Sequence, residues 1–539
     1  MIEFKHKLPA MNIDGRKNGT YNNTELAIPG VLTTLDYNLG EFLHKLRVNI
    51  YKGRALLFID GRYMMVNKNW IRDHVHIMKA MKHFEYELRN FLDFIIETQR
   101  ADGQYYELIK QLDDGHWKMV DEDCRVIYPD DNLALVRLEL EADIEYLVVE
   151  GAMQYYQTTG DDEWLRRVLP KLEAGINYAT SDAKRFDKNL GLCIRPYTID
   201  TWDFTFDPAS GLDRRIHENE LMCAMHGDNT GVWQAMRQLS WFCRRLGYNE
   251  RADEWDKRAA VLRENIFKYL WNGRFFVHQL CVGHDGIDRL EAERLSLSNS
   301  YDINRGITDL DKSRSIIAEY MKRRETTGYF AEWFTIDPPY EKFNTYSAGE
   351  YVNGAISPFT AGELSKAAFR NGYEHYGWDI ISRFIELVER DGDVYFLYYP
   401  DSKPQPQGGP SAWGAAALIS AVDEGLAGVE DIDVCYRRIR FSPRFPVTPY
   451  TELRYFTGYE LSGSIVDIRY ILTDEGMRYD ISSPAYEIAA HLLLPDGRSC
   501  SRVCVNGREV GFSCSKVADS MYVDFDITTD RRVSIEVYF

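Results

Sequence analysis

A mainly α chain, in which a closed double ring of helical hairpins precedes a small β-sandwich, is what the sequence predicts, and three observations predict it. Apolar residues recur at helical spacing in about twelve stretches between residues 36 and 425. These stretches pair through short turns such as Thr159-Gly160-Asp161-Asp162 and Gly247-Tyr248-Asn249, without the fixed-period self-similarity of an open solenoid. After about residue 430 the period becomes that of strands.

Taken in order, residues 1–35 are polar, with turn signals at Asn18-Gly19 and Pro29-Gly30, and a helical stretch follows near 36–48. Residues 54–59 and 63–66, split by Asp60-Gly61, predict a small hairpin. From 72 to about 100, the spacing of Ile77, Met81, Phe84, Leu88, Phe91, Leu92 and Ile95 predicts one long helix. Further helices are predicted at about 131–159, 163–181, 229–246, 249–270, 296–304, 310–324, 328–334, 358–373, 375–390 and 411–425. The long connections, 101–130, 182–228, 273–295, 334–357 and 391–410, are expected to converge on one mouth and carry function there. Strands are predicted at 464–470, 489–494, 502–505, 522–525 and 533–539. The expected division is 1–430 for the ring, with its N-terminal extension and hairpin, and 431–539 for the β-sandwich.

Lys and Arg total 64 against 83 Asp and Glu, and the resulting net charge of −19 disfavours nucleic acid and anionic membranes as partners. A neutral small molecule fits better. Tyr, Phe and Trp number 35, 26 and 11, enough to leave ring faces outside the core for flat ligands such as sugars. Nine cysteines, odd in number and without a CxxC pair, support neither a disulfide framework nor a zinc site, so no metal or other cofactor is expected. The N-terminus lacks the apolar core of a secretory signal and no run of 18 apolar residues follows, which predicts a cytoplasmic protein.

The chemistry concentrates in residues 195–207, where Arg195, Asp200, Trp202, Asp203 and Asp207 fall within one loop. A carboxyl beside an indole is desolvated, which raises its pKa toward the range of a general acid, and Asp203 is the best placed. The competing reading is that these acids cap the next helix or lie solvated. His226-Gly227-Asp228-Asn229 reads as a capping segment, since no second ligand stands at helical spacing from His226.

The ring followed by a sandwich resembles the six-hairpin glycosidases, a group that includes glucoamylase, trehalase, α-glucosidase I, α-L-rhamnosidase and the disaccharide phosphorylases. The resemblance implies an (α/α)6 barrel with a C-terminal β-sandwich, acting on a small-molecule carbohydrate. Trp70-Ile71-Arg72-Asp73 looks like the glucoamylase W-x-R-D motif, which implies that Trp70, Arg72 and Asp73 hold the terminal sugar; the alternative is a plain helix N-terminus. Residues 200–205 are similar to the D-x-W-E segment of glucoamylase and the G-W-D-F-S segment of trehalases, which makes Asp203 the general acid with Asp200, Trp202 and Arg195 around it. Residues 349–359 look like the Y-x-N-G-x-x-W-P segment of the phosphorylases, with Ser357 in place of tryptophan, so that Asn353 either presents an amide to ligand or serves a turn. Residues 408–418 resemble the last barrel helix, with Trp413 at the tryptophan of its motif.

One departure stands out. Where those families place the catalytic base, a glutamate, this chain has Leu397, and Glu350 and Asp401 are the nearest loop carboxylates. An inverting hydrolase needs a second carboxylate about 6.5–9.5 Å from the acid. The resemblance therefore implies an inverting, exo-acting glycoside hydrolase, with a disaccharide phosphorylase or a catalytically silent carbohydrate-binding protein as alternatives.

Overall fold

The computed structural model describes residues 18–20, 32–33, 38–200, 202, 204, 213–283, 287 and 289–539. Its helices in chain order are α1 (Asn38–Lys52), α2 (Ile71–Met81), α3 (Asn90–Glu97), α4 (Ile144–Thr159), α5 (Asp162–Ala179), α6 (His226–Arg245), α7 (Asn249–Leu270), the short α8 (Arg289–Glu293), α9 (Ser298–Arg305), α10 (Leu310–Thr327), α11 (Pro358–Arg370), α12 (Glu374–Asp391) and α13 (Ala412–Ser420). Helices α2, α4, α6, α9, α11 and α13 form a cycle in which each packs on the next and α13 returns to α2. Around them lie α1, α3, α5, α7, α10 and α12.

Burial follows the sequence pattern. Every residue of α11 except Arg370 and every residue of α13 is buried, as an inner helix requires, whereas α7 and α10 keep a charged outer face. Gly362 lets α11 approach α13 closely, because a Cβ there would stand 2.4 Å from the Ala417 carbonyl carbon. Inner and outer helices alternate along the chain, so the inner six run in one direction. Short turns, such as Gly160-Asp161 and residues 371–373, join inner to outer helices at one end. The long connections therefore share the other end, where the inner helices begin.

Residues 54–67 form the expected hairpin, Arg54–Ile59 against Arg62–Asn67, with Asp60 and Gly61 both at positive φ (50° and 72°) as a two-residue primed turn demands. The expected helix over 72–100 is instead two helices. Glu87 accepts the backbone N–H groups of Arg89 (2.8 Å) and Asn90 (2.9 Å), and this local cap starts α3 afresh. Only the second half of the stretch 131–159 is helical, because Leu133–Val136 pairs as a strand with both Leu108–Gln111 and Arg125–Tyr128. Residues 328–334 are not helical; Phe334 bridges to Ile356 instead. The last inner helix continues as a π-helical turn, Ala421–Leu426.

Beyond it are two sheets. Five strands run in the order Val429–Asp431, Arg438–Phe441, Glu487–Leu493, Ser520–Thr528, Ser513–Val517, and the larger sheet is built on Glu452–Tyr459, Ser464–Leu472, Gly476–Ser482, Arg532–Tyr538 and Arg502–Val505. Phe441 of one sheet meets Tyr479 of the other edge-on, ring centroids 5.4 Å apart. The sheets also join the helical core, His83 Nδ1 lying 3.0 Å from the Gly458 carbonyl. Among the described residues no helix is long and apolar enough to cross a membrane.

Candidate active site

At the end of the ring where the inner helices begin, carboxylates and arginines collect, because exposed N–H groups and the helix dipole favour negative charge there. Asp143 precedes α4, Asp73 and Asp228 lie in the first turns of α2 and α6, and Asp200 caps α9. Arg72 clamps Asp143 with two hydrogen bonds, Nε donating to Oδ2 (2.6 Å) and Nη2 to Oδ1 (2.8 Å), and Nη2 also donates to Glu141. Nη1 has no hydrogen-bond partner among the described residues. Burial pushes the Asp143 pKa up, but Arg72 overrides it and holds the carboxyl below its usual value. Asp73 beside it is half-buried, and burial raises its pKa against the opposing charges of Arg72 and Lys68. Trp70, half-buried at the start of α2, has the Lys110 ammonium 5.6 Å over its ring.

The loop of residues 195–204 crosses this mouth. Arg195 is fully buried; its Nη2 donates to the Trp202 carbonyl and its Nη1 stands 3.6 Å from Asp228. Neither carboxyl oxygen of Asp228 has a hydrogen bond among the described residues. Burial pushes the Asp228 pKa up to about 6, with Arg195 opposing and Asp143 and Asp200 adding. Asp200 sits at φ 48° and accepts from Ser298 through both oxygens, from Oγ at 2.5 Å and from N–H at 3.2 Å. Its own N–H donates to His278 Nε2 (3.0 Å), which puts the ring proton on Nδ1, facing Glu291 at 2.8 Å. Burial notwithstanding, hydrogen bonds from His278 and Tyr340 and the charge of Arg294 hold Glu291 down to about 2.

Trp202 builds the wall opposite. Its indole stacks on Tyr351 (5.9 Å, 24°) and Phe396 (6.2 Å, 22°), so the loop of 195–204 meets both the 334–357 and 391–410 connections. Asp203, the expected acid, lies outside the described residues, between Trp202 and Phe204. Glu350 adjoins Tyr351 and accepts the Ser347 N–H at 2.8 Å.

Three expected site residues have other work. Both faces of the Trp413 indole are covered, by His76 (4.3 Å, 7°) and Phe359 (4.6 Å, 20°), and its N–H donates to Tyr301; it packs the ring rather than offering a face to sugar. The Asn353 amide is fully buried and spent on backbone, accepting the Tyr340 N–H and donating to the Tyr340 and Tyr346 carbonyls. Asp401 is an exposed turn residue that accepts the Lys403 N–H at 3.2 Å and its ammonium at 2.6 Å, and that bonding lowers its pKa. Replacing Asp401 by Asn is accordingly expected to leave the initial rate on any turned-over substrate within about twofold, since exposed ion pairs contribute little. A hundredfold loss would return Asp401 to the site.

No protein-family model matches the sequence. A trehalase of Sulfolobus acidocaldarius is 23% identical over 246 residues, 44% of this chain and 37% of that protein. The rhamnosidase of Bacillus sp. GL1 aligns with 88% of this chain and 43% of its own at TM-score 0.60 and 15% identity. For the α-L-rhamnosidase of Dictyoglumus thermophilum the figures are 95%, 51%, 0.61 and 10%. The chain shares the fold of the six-hairpin glycosidases. It spans between 37% and about half of the length of these relatives.

On this six-hairpin fold the residue that sequence reasoning passed over is Asp228, read as part of a cap. Its signal was present, an acid in the first turn of an inner helix, but only the fold puts it against Arg195. Asp228 also makes a testable contribution to stability. A carboxyl whose native pKa is raised from 3.8 to about 6 is stabilising below pH 3.8 and loses that contribution as the pH rises through 6. The shift corresponds to about 3 kcal/mol. Asp228→Asn is expected to shrink the fall in stability between pH 4 and pH 7 by up to that amount, read from urea midpoints. An unchanged pH dependence would mean that Asp228 titrates normally.

Proposed function

We propose that this protein is a glycoside hydrolase of the (α/α)6 type, with residues 1–430 as the catalytic ring and 431–539 as a β-sandwich. The observation that carries the reading is the stack of Trp202 on Tyr351 across the mouth, beside the clustered carboxylates and arginines. It draws together the two segments that hold Asp203 and Glu350. Asp203 is the acid that protonates the leaving oxygen; Glu350, in the 334–357 connection next to Tyr351, is the carboxylate that activates water on the opposite face, giving inversion. Arg72, through Nη1, Asp73 and the Trp70 ring bind the terminal sugar, so that the enzyme works from the non-reducing end of a small oligosaccharide or glycoside. Arg195 and Asp228 fix the Trp202 carbonyl next to the acid. Nine thiols and no disulfide among the described residues support a cytoplasmic setting.

The test is sugar release from α- and β-linked rhamnosides, glucosides, galactosides and mannosides and from trehalose, with and without phosphate, the anomer of the first product being read by proton NMR. Release without phosphate, with inverted configuration, supports the reading. A requirement for phosphate replaces it with phosphorolysis. Leu397, fully buried where the related base would stand, favours one other outcome, a silent carbohydrate-binding protein, which sugar binding without turnover would establish.

A further inference from the structure

Where the helical ring meets the smaller sheet, at the end away from the mouth, lies a cavity of 610 Å³ bounded by Arg370 of α11, Arg440, Ser442 and Arg444, and by His491 and Phe525 of the sheet. Its cations and carboxylates are mostly matched. Glu424 takes Lys82 (2.9 Å), Arg370 (3.3 Å) and Lys366 (3.4 Å); Glu430 takes Arg440 (2.7 Å) and Arg370 (3.6 Å); and Asp524 takes His491 (2.5 Å).

Among the described residues two groups of the lining have no ion pair, the exposed Asp526 and the buried Arg444. Arg444 is 5% exposed; its Nη1 donates to the Gly425 carbonyl (3.0 Å) and the Tyr522 hydroxyl lies against it, but among the described residues its Nε has no hydrogen-bond partner and no carboxylate forms an ion pair with it. Glu374, the nearby acid, is spent on the hydroxyls of Ser520 (2.6 Å) and Tyr522. Burial, with the repulsion of Arg370 added, lowers the Arg444 pKa against the opposing pull of Tyr522 and Glu374. Two residues before it, the Ser442 hydroxyl is 3% exposed and also without a partner. A buried guanidinium without a direct ion pair is costly, and natural proteins rarely leave its donors unused.

We propose that this cavity is a binding site for a small oxyanion, a phosphate, sulfate or carboxylate group, held by the Arg444 guanidinium and the Ser442 hydroxyl, with Arg440 at its rim. A planar guanidinium and a hydroxyl supply the short, charge-assisted donors that such groups take. The site stands apart from the sugar-binding mouth, because Arg370 and Glu424 mark the far ends of the inner helices. Activity at the mouth is not its readout, so it holds or fails independently of the hydrolase reading.

The experiment is thermal unfolding of the full chain in inorganic phosphate, sulfate or acetate, each matched in ionic strength with chloride, with calorimetric titration of the anion that stabilises most. Linkage predicts a Tm rise of about 2 °C over chloride at a hundredfold excess over Kd for a chain of this length. Arg444→Met should abolish the rise; Ser442→Ala and Arg440→Gln should weaken binding about threefold to tenfold. Arg440 is half-exposed, so Arg440→Gln keeps the test open if Arg444→Met does not fold. A response to phosphate alone assigns a phosphate or phosphate ester, a response to acetate a carboxylate, and equal responses a general oxyanion site. No rise over chloride, or a rise that persists unchanged in every folded variant, overturns the proposal.

Discussion

Asp203→Asn is expected to lower kcat on glycosides with poor leaving groups by about 10²–10⁴-fold, the usual contribution of a positioned general acid. The loss should depend on the leaving group. An alkoxide must be protonated as the bond breaks, whereas a nitrophenolate departs without help, so nitrophenyl glycosides should lose far less than methyl glycosides. The basic limb of the pH–rate profile, set by deprotonation of the acid, should vanish with the carboxyl. KM should change little if Arg72, Asp73 and Trp70 carry the binding. The stability of the variant should stay within about 1 kcal/mol of wild type, against a structural explanation. An equal loss on both leaving groups would show that Asp203 positions the loop and protonates nothing.

Much of the helical layout was legible in the sequence, and the parts that were not have more than one cause. The hairpin at 54–67 is local chemistry, since Asp60-Gly61 can adopt two positive φ angles and most pairs cannot. The helices declared themselves by apolar spacing, and Trp202 by its setting among acids. The break after α2 was missed although its agent, Glu87, is local, because apolar spacing continues across it and outweighs one capping glutamate. Trp413, Asn353 and Asp401 illustrate a different point. Each matched a motif or filled a motif's vacancy, but what a side chain can do depends on whether its face or its hydrogen bonds are already taken. His76 and Phe359 take the Trp413 faces, and they lie on other helices. Asp228 was passed over because its partner, Arg195, arrives on a loop from another part of the chain.

Arg72 is where the proposed sugar binding and stability meet, and its replacement carries the second large expectation. The guanidinium is 4% exposed and serves two buried carboxylates from beyond the next loop, Asp143 and Glu141. Arg72→Met keeps much of the volume and removes the charge, leaving both acids buried without it, for which about 3–5 kcal/mol of destabilisation is expected. The sign of the pH dependence separates this cause from lost packing. In the wild type the Asp143 pKa is lowered, so its contribution is present above the unfolded value and lost as the pH falls through the lower native one. Without Arg72, burial raises that pKa against only the weaker pull of Arg195 and Arg137, and a protonated Asp143 no longer needs a cation. The penalty should therefore shrink from pH 8 to pH 5, and Arg72→Met with Asp143→Asn should recover part of it at pH 8, both read from urea midpoints. A penalty independent of pH would assign the loss to packing. With stability recovered, the double variant lacks Nη1, the donor proposed for the terminal sugar, and a raised KM in it would mark Arg72 as binding substrate as well as bracing α2 against α4.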